Sequence, residues 1–99
     1  MPGSDRDLDR LVHEPARLAI LSHLYVVEAA AAPWLLQQTG LSWGNLSSHM
    51  SRLEAAGYLA VEKDFVDRKP VTMLTLTKSG RAAFRAYRKQ IRKLLDGPG

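Results

Sequence analysis

The spacing of apolar residues along the chain is helical for roughly the first 56 positions, then extended, then helical again. Leu8, Leu11 and Val12 fall three and four apart, and Ser4 with Asp7 makes a capping-box pattern ahead of them; the spacing predicts a short helix over 5–13. Pro15 suits the first turn of a second helix, where its missing N–H would be unpaired anyway, and that helix is expected to run to about Ala30. At roughly 100° per residue, Ile20, Leu21, Leu24 and Val27 share one face, while Leu18 and Tyr25 lie nearly opposite. A helix apolar on two sides is expected between the core and the terminal helices.

Pro33 opens a third helix, 33–39, with Trp34, Leu35 and Leu36; Gly40 stops it, and Leu41-Ser42 turns into a fourth helix, 43–56, closed by Gly57. Helix, three-residue turn containing Gly, helix is helix-turn-helix spacing over 33–56. The period then changes. Leu59, Val61 and Phe65 recur at even spacings with Lys63 between them, and "VTMLTLT" (71–77) is rich in β-branched residues. A hairpin over 58–76 is predicted, turning at Val66–Pro70, and two strands alone must lean on the helices to be stable. Thr77 is placed to cap a last helix, 78–95, whose stripe is Phe84, Tyr87, Ile91, Leu94 and Leu95. Arg81, Arg85, Arg88 and Arg92 line up beside it. The expected class is mainly α (α+β), one domain over 1–99.

The stretch "LSWGNLSSHMSRLEAAGYL" (41–59) carries four serines, an asparagine and a histidine around Leu46, Met50 and Leu53. Ser and Asn are mediocre helix formers, because their side chains compete for backbone hydrogen bonds. Opposite the apolar face come Gly44, Asn45, Ser47, Ser48, Ser51, Arg52 and Ala55, none of them acidic; Glu54 stands at the edge. A major groove about 12 Å wide admits a helix with a slim face, and base edges demand both donors and acceptors. Ser supplies both, Asn pairs with adenine, and Arg pairs with guanine or phosphate. A plain solvated face is the competing reading.

"HEPARLAILSHL", "GLSWGNLSSHMSRLEAAGYLAVEKDF" and "DRKPVTMLTLTKSGRAAF", in that order, resemble the winged helix-turn-helix domain of small transcriptional regulators of the MarR and ArsR groups, over about residues 13–88. The resemblance implies a recognition helix at 43–56, a wing at 58–76, dimerisation through helices 5–13 and 78–95, and repression or activation of transcription from operator DNA. It departs from those groups in having no Cys, hence no thiolate metal sensor, and in placing Ala29–Ala32 where a short strand is usual, so a two-stranded wing is expected.

Charge sharpens the picture. The net charge is +4, yet residues 1–14 lean acidic (Asp5, Asp7, Asp9 and Glu14 against Arg6 and Arg10), whereas Arg68 to Lys93 holds nine Lys or Arg and no acid. A basic tail points to an anionic partner, here double-stranded DNA. Candidate DNA contacts are Ser42, Trp43, Asn45, Ser47, Ser48, Ser51, Arg52, Arg68 and Lys69, with Asp67 shaping the wing turn as an Asx residue. Arg52 could instead pair with Glu54. Of Trp34 and Trp43, one is expected in the core and the other against sugar or over the turn. Leu8, Leu11, Val12, Leu18, Tyr25, Phe84, Tyr87, Ile91, Leu94 and Leu95 are the candidate homodimer interface. The arginine stripe has three open readings: it faces Asp5, Asp7 and Asp9, it extends the DNA surface, or it is simply solvated.

His13, His23 and His49 fit no compact metal spacing, and His49 is expected to hydrogen-bond across the core. No Ser-His-acid pattern, phosphate-cradling loop or carboxylate pair points to catalysis, so no enzyme, metal or cofactor is expected. Without an apolar run long enough for a bilayer or a secretory leader, the expected compartment is the cytoplasm. Two rivals stand beside the DNA-binding regulator: a winged helix serving only protein–protein contacts, and a regulator gated by a small effector.

Overall fold

The structure, a computed structural model, describes residues 8–97. It contains α1 (Pro15–Val27), β1 (Ala29–Ala31), α2 (Ala32–Thr39), α3 (Trp43–Ala55), β2 (Leu59–Val66), β3 (Lys69–Leu76) and α4 (Lys78–Asp96). The expected helix over 5–13 lies partly outside the described residues, and where it is visible, at 8–14, the chain makes turns instead. The cause is local. The Asp9 carboxylate accepts the N–H groups of Leu11 (2.9 Å) and Val12 (3.3 Å), offering the backbone an alternative to helical bonding. Glu14 then caps α1 by accepting the Arg17 N–H at 2.8 Å, with Pro15 in the first turn.

α1 ends at Val27, short of Ala30, because Glu28 takes φ 69° and turns the chain into β1. The expectation of a two-stranded wing is corrected here: the sheet has three antiparallel strands in the order β1-β3-β2. Ala29–Ala31 pair with Thr75–Met73, and Leu76 N–H donates to Glu28 C=O at 2.9 Å to prolong the ladder. Alanine has little strand preference of its own, so it is β3 that holds this segment extended. Ala30, opposite Leu74, is buried, which a larger side chain would not allow without displacing the core.

α1 is the central element. Ile20, Leu21 and Leu24 are fully buried in one cluster with Ala32 and Leu35 of α2, Leu46 and Leu53 of α3, and Leu74 of β3. Its other side is also covered, as the two apolar faces require: Tyr25 packs on Phe84 of α4 with ring centroids 5.0 Å apart, and Leu18 is half-buried. Val27, expected on the core face, is largely exposed at the helix end. Neither tryptophan enters the core; Trp34 lies edge-on to His23, and Trp43 is 51% exposed at the start of α3.

The N-terminal segment is fastened from both ends of the fold. Leu8 and Val12 are buried in the subunit's own core together with Phe84 and Tyr87, so four of the side chains read as interface already have partners within one subunit. Tyr58 donates its hydroxyl to Asp9 at 2.7 Å, and Tyr87 shares a 2.7 Å hydrogen bond with His13. Thr77 joins the end of α3 to the start of α4: its hydroxyl donates to Gly57 C=O (2.6 Å) and accepts the Gly80 N–H (2.9 Å). Gly80 lies so close to this junction that a Cβ there would collide with the Tyr58 carbonyl and come within 2.8 Å of Leu76 Cδ1.

Two outcomes follow from this packing. Gly80→Ala should lower unfolding free energy by about 1–3 kcal/mol through overpacking, whereas Gly44→Ala, in an open helical position, should raise it by roughly 0.5–1 kcal/mol; denaturant titration of both variants checks the pair. The three tyrosines should also ionise separately. Arg85 donates to the Tyr25 hydroxyl and lowers its pKa; burial raises that of Tyr87; the hydrogen bond to Asp9 holds Tyr58 up to about 12. Because the folded protein keeps the Tyr58 proton more tightly than the unfolded chain, this stabilisation is complete below about pH 10 and is lost as pH climbs through about 12. Ultraviolet difference titration should show the last phenol returning toward the ordinary range in Asp9→Asn.

Candidate nucleic-acid interface

Burial of Leu46, Met50 and Leu53 fixes the rotation of α3 and therefore the face it presents outward. On that face Trp43, Gly44, Asn45, Ser48, Ser51 and Arg52 are exposed and Ser47 is half-buried. Ser42, just before it, caps the helix: its hydroxyl accepts the Asn45 N–H at 3.1 Å and keeps its own proton free to donate.

Two hydroxyls in the other helices behave differently, while Ser79 at the start of α4 is unbonded among the described residues. Ser22 donates back to Leu18 C=O at 2.6 Å, and Thr39 to Leu35 C=O at 2.7 Å, the usual resting place of a helical hydroxyl. Ser47, Ser48 and Ser51 make no such bond, nor does the Asn45 side chain, among the described residues. Arg52 forms no ion pair with Glu54. The face thus offers free donors and acceptors with no acidic side chain among them, as base edges and phosphates require.

A buried guanidinium fastens this helix to α1. Arg17 is 7% exposed, donates from Nε to Leu11 C=O at 2.6 Å, and its Nη1 lies 3.1 Å from His49 Nδ1. Because a guanidinium only donates, that contact requires an imidazole accepting at Nδ1. Glu14 Oε2 stands 3.9 Å from His49 Nε2 on the other side. The Arg17 N–H bonded to the Glu14 carboxylate is the main cause holding Glu14 below the usual glutamate range. His49 is thus a cross-core hydrogen-bonding group, as its place on the flank of the Leu46/Met50 face suggested. Arg17 was invisible in the sequence: one cationic residue among apolar neighbours carries no periodic signal.

The wing turn is tighter than expected. Lys69 and Pro70 belong to β3, leaving a two-residue loop, Asp67-Arg68, with φ of 52° and 67°. Positive φ at both positions is the type I′ geometry whose twist matches the flanking strands, and Asp is among the few residues that tolerate it. No Asx hydrogen bond forms at Asp67; the side chain that bonds locally is Asp64, accepting the Phe65 N–H at 2.8 Å. Arg68 and Lys69 are both exposed at the tip.

Three of the four arginines of the α4 stripe gather around Tyr25, not around Asp9. Arg81 and Arg88 stand over its ring, 4.8 and 5.5 Å from the centroid, and Arg85 Nε donates to its hydroxyl at 3.3 Å. Arg81 also donates to Tyr25 C=O and pairs with Glu28 at 3.8 Å. Asp5 and Asp7 lie outside the described residues, and Asp9 is engaged by Tyr58. Further along α4, Ile91 and Leu94 are half-buried and Leu95 is 80% exposed, bordering a shallow hollow with Leu8, Arg10 and His13. Leu11, Leu18 and Tyr25 are partly covered by the subunit's own core. Among the described residues no group of three or more His, Asp or Glu could hold a metal.

This architecture matches known proteins. A family model described as a winged helix DNA-binding domain covers residues 16–95. An uncharacterised protein of Methanocaldococcus jannaschii is 29% identical over 85 residues, spanning 86% of this chain and 92% of its own length. An HTH-type transcriptional regulator of Bacillus subtilis is 49% identical over 43 residues, which is 43% of this chain and only 28% of that protein. Among solved structures, the transcriptional regulator homologue of Pyrococcus horikoshii superposes with a TM-score of 0.85 at 27% identity, over 90% of this chain and 88% of that one. Regulators of this kind are a non-enzymatic class. The family model spans α1 through nearly all of α4: the chain belongs to the winged helix DNA-binding domain family.

Proposed function

We propose that the protein binds double-stranded DNA sequence-specifically as a homodimeric transcriptional regulator. In this reading α3 enters the major groove, and the wing rests on the adjoining backbone or minor groove. One observation carries it: the hydroxyls of Ser47, Ser48 and Ser51 and the Asn45 amide are uncommitted on an exposed face, although elsewhere in the helices Ser22 and Thr39 bond back to their own backbone. Asn45, Ser47, Ser48, Ser51 and Arg52 supply sequence preference, with Ser42 and Trp43 at the helix entrance. Arg68 and Lys69 supply backbone affinity.

Dimerisation is proposed through the outer end of α4, where Ile91, Leu94 and Leu95 leave apolar surface that the described residues do not cover. Two copies related by a two-fold axis would present two α3 helices to successive turns of one DNA face. The cytoplasm is the compartment where such a partner is met; among the described residues no helix is long and apolar enough to cross a membrane. A second reading, a protein-docking module, has in its favour an apolar patch of Val27 and Trp34 beside β1. It leaves the free polar face of α3 without a purpose.

Selection of bound duplexes from a random pool tests the proposal. A pseudo-palindromic site should be recovered; recovery of no sequence above background would reject specific regulation. On the selected duplex, Ser48→Glu should abolish binding while the fold is retained by circular dichroism, and undiminished binding would mean that α3 does not face DNA. Replacing Arg68 and Lys69 together by Ala should shallow the log–log salt dependence of affinity by about two units, one for each phosphate left without its cation.

A further inference from the structure

The register of the wing sorts its side chains into two chemically different faces. Leu59, Val61, Lys63 and Phe65 of β2 stand opposite Leu76, Leu74, Thr72 and Pro70 of β3, all on the face that begins in the core shared with α3. Glu62 and Asp64, the two acids of β2, fall on the other face, opposite Met73 and Val71. The core-side face therefore runs outward from buried leucines through Lys63 and Thr72 to Phe65 and Pro70, with no acidic residue on it. Phe65 is 69% exposed.

Neither the core nor the sheet requires an aromatic ring there. Phe65 lies beyond the packed part of the strand, and Asp64 already satisfies its N–H. Pro70 is equally specific. Thr77 N–H donates to Tyr58 C=O, which marks 58/77 as a hydrogen-bonded pair; counting outward by alternation makes 65/70 a non-hydrogen-bonded one. Pro70 thus gives up no bond to β2, and its ring sits directly across from Phe65 at the short spacing of such pairs. Two rigid apolar rings protrude together, with Lys63 on the same face and Arg68 in the adjoining turn.

We propose that Phe65, braced by Pro70, is an apolar wedge that packs on the deoxyribose walls of the DNA minor groove next to the site read by α3. The groove offers matching chemistry: the C–H edges of the sugars line its walls, and phosphates on both rims face the surrounding cations. At about 6 Å wide it admits side chains but not a helix, and apolar side chains are an established means of contact there. The wedge makes the protein sensitive to groove width in the flanking sequence, a readout of shape rather than of base edges. The inference rests on the DNA-binding reading given above.

Hydroxyl-radical footprinting of the selected duplex tests it, because the radicals attack deoxyribose hydrogens exposed in the minor groove. Wild-type protein should protect sugars flanking the α3 site. Phe65→Ala should lose that flanking protection and about tenfold in affinity, with the salt slope unchanged because every phosphate keeps its cation. Phe65→Leu should keep most of both, and equal thermal midpoints should show that the wing still folds. Wild-type protection and affinity in Phe65→Ala would overturn the wedge while leaving the DNA-binding reading intact. A wild-type protein that protects no DNA at all would overturn both.

Discussion

Three side chains, Leu46, Met50 and Leu53, decide what α3 can show to a partner. Burying each is worth very roughly 1.5–3 kcal/mol, so turning the helix by one residue, about 100°, would expose most of that surface at once. The apolar seam therefore locks the helix about its axis. Everything else on α3 follows by subtraction: Asn45, Ser48, Ser51 and Arg52 face outward because the core has claimed the opposite side. The locking surface is shared by α1 and β2, and α1 also packs on α2, the sheet and α4.

A rotational lock leaves freedom along the helix axis, and the buried Arg17 restrains it. Its guanidinium is held at once by Leu11 C=O and by His49 of α3. Removing a charge from water is costly unless its donors are satisfied, so the network favours one arrangement of α1, α3 and the N-terminal segment over nearby alternatives. Tyr58 holding Asp9 and Tyr87 holding His13 fasten the same segment at two further points. Residues 8–14 thus act as a strap across the helices even though they are not helical.

The sequence displayed some of this architecture and hid the rest for identifiable reasons. α3, the two long strands and α4 carry strong periods and are bounded by Ser42, Gly57 and Thr77, residues whose chemistry marks boundaries. β1 was hidden because three alanines have neither a strand's branching nor a helix's amphipathic pattern; its partner β3 decides its state. Leu8, Val12, Phe84 and Tyr87 were correctly apolar, but a hydrophobic stripe tells that a surface is covered and not whether the cover belongs to the same subunit. The tight wing turn was hidden because Asp67-Arg68 lacks the glycine that usually announces two positive φ angles. The polar face of α3 was legible because it broke the ordinary rule for exposed helices. That its hydroxyls are unbonded, while those of Ser22 and Thr39 are not, needed coordinates.

The wing shows how a feature neutral to folding can be informative about partners. A strand period of two sends alternate residues to opposite faces whatever they are, and the fold is satisfied once Leu59, Leu74 and Leu76 are buried. Beyond them, placing both acids of β2 on one face and Lys63 with Phe65 on the other has no structural cause within the subunit. In water the exposed ring is a cost without a return, and surface charges of mixed sign would serve solubility as well. A polyanion with apolar walls between its charged rims accounts for both the segregation of charge and the exposed ring, and it does so on the same face of the sheet that meets α3.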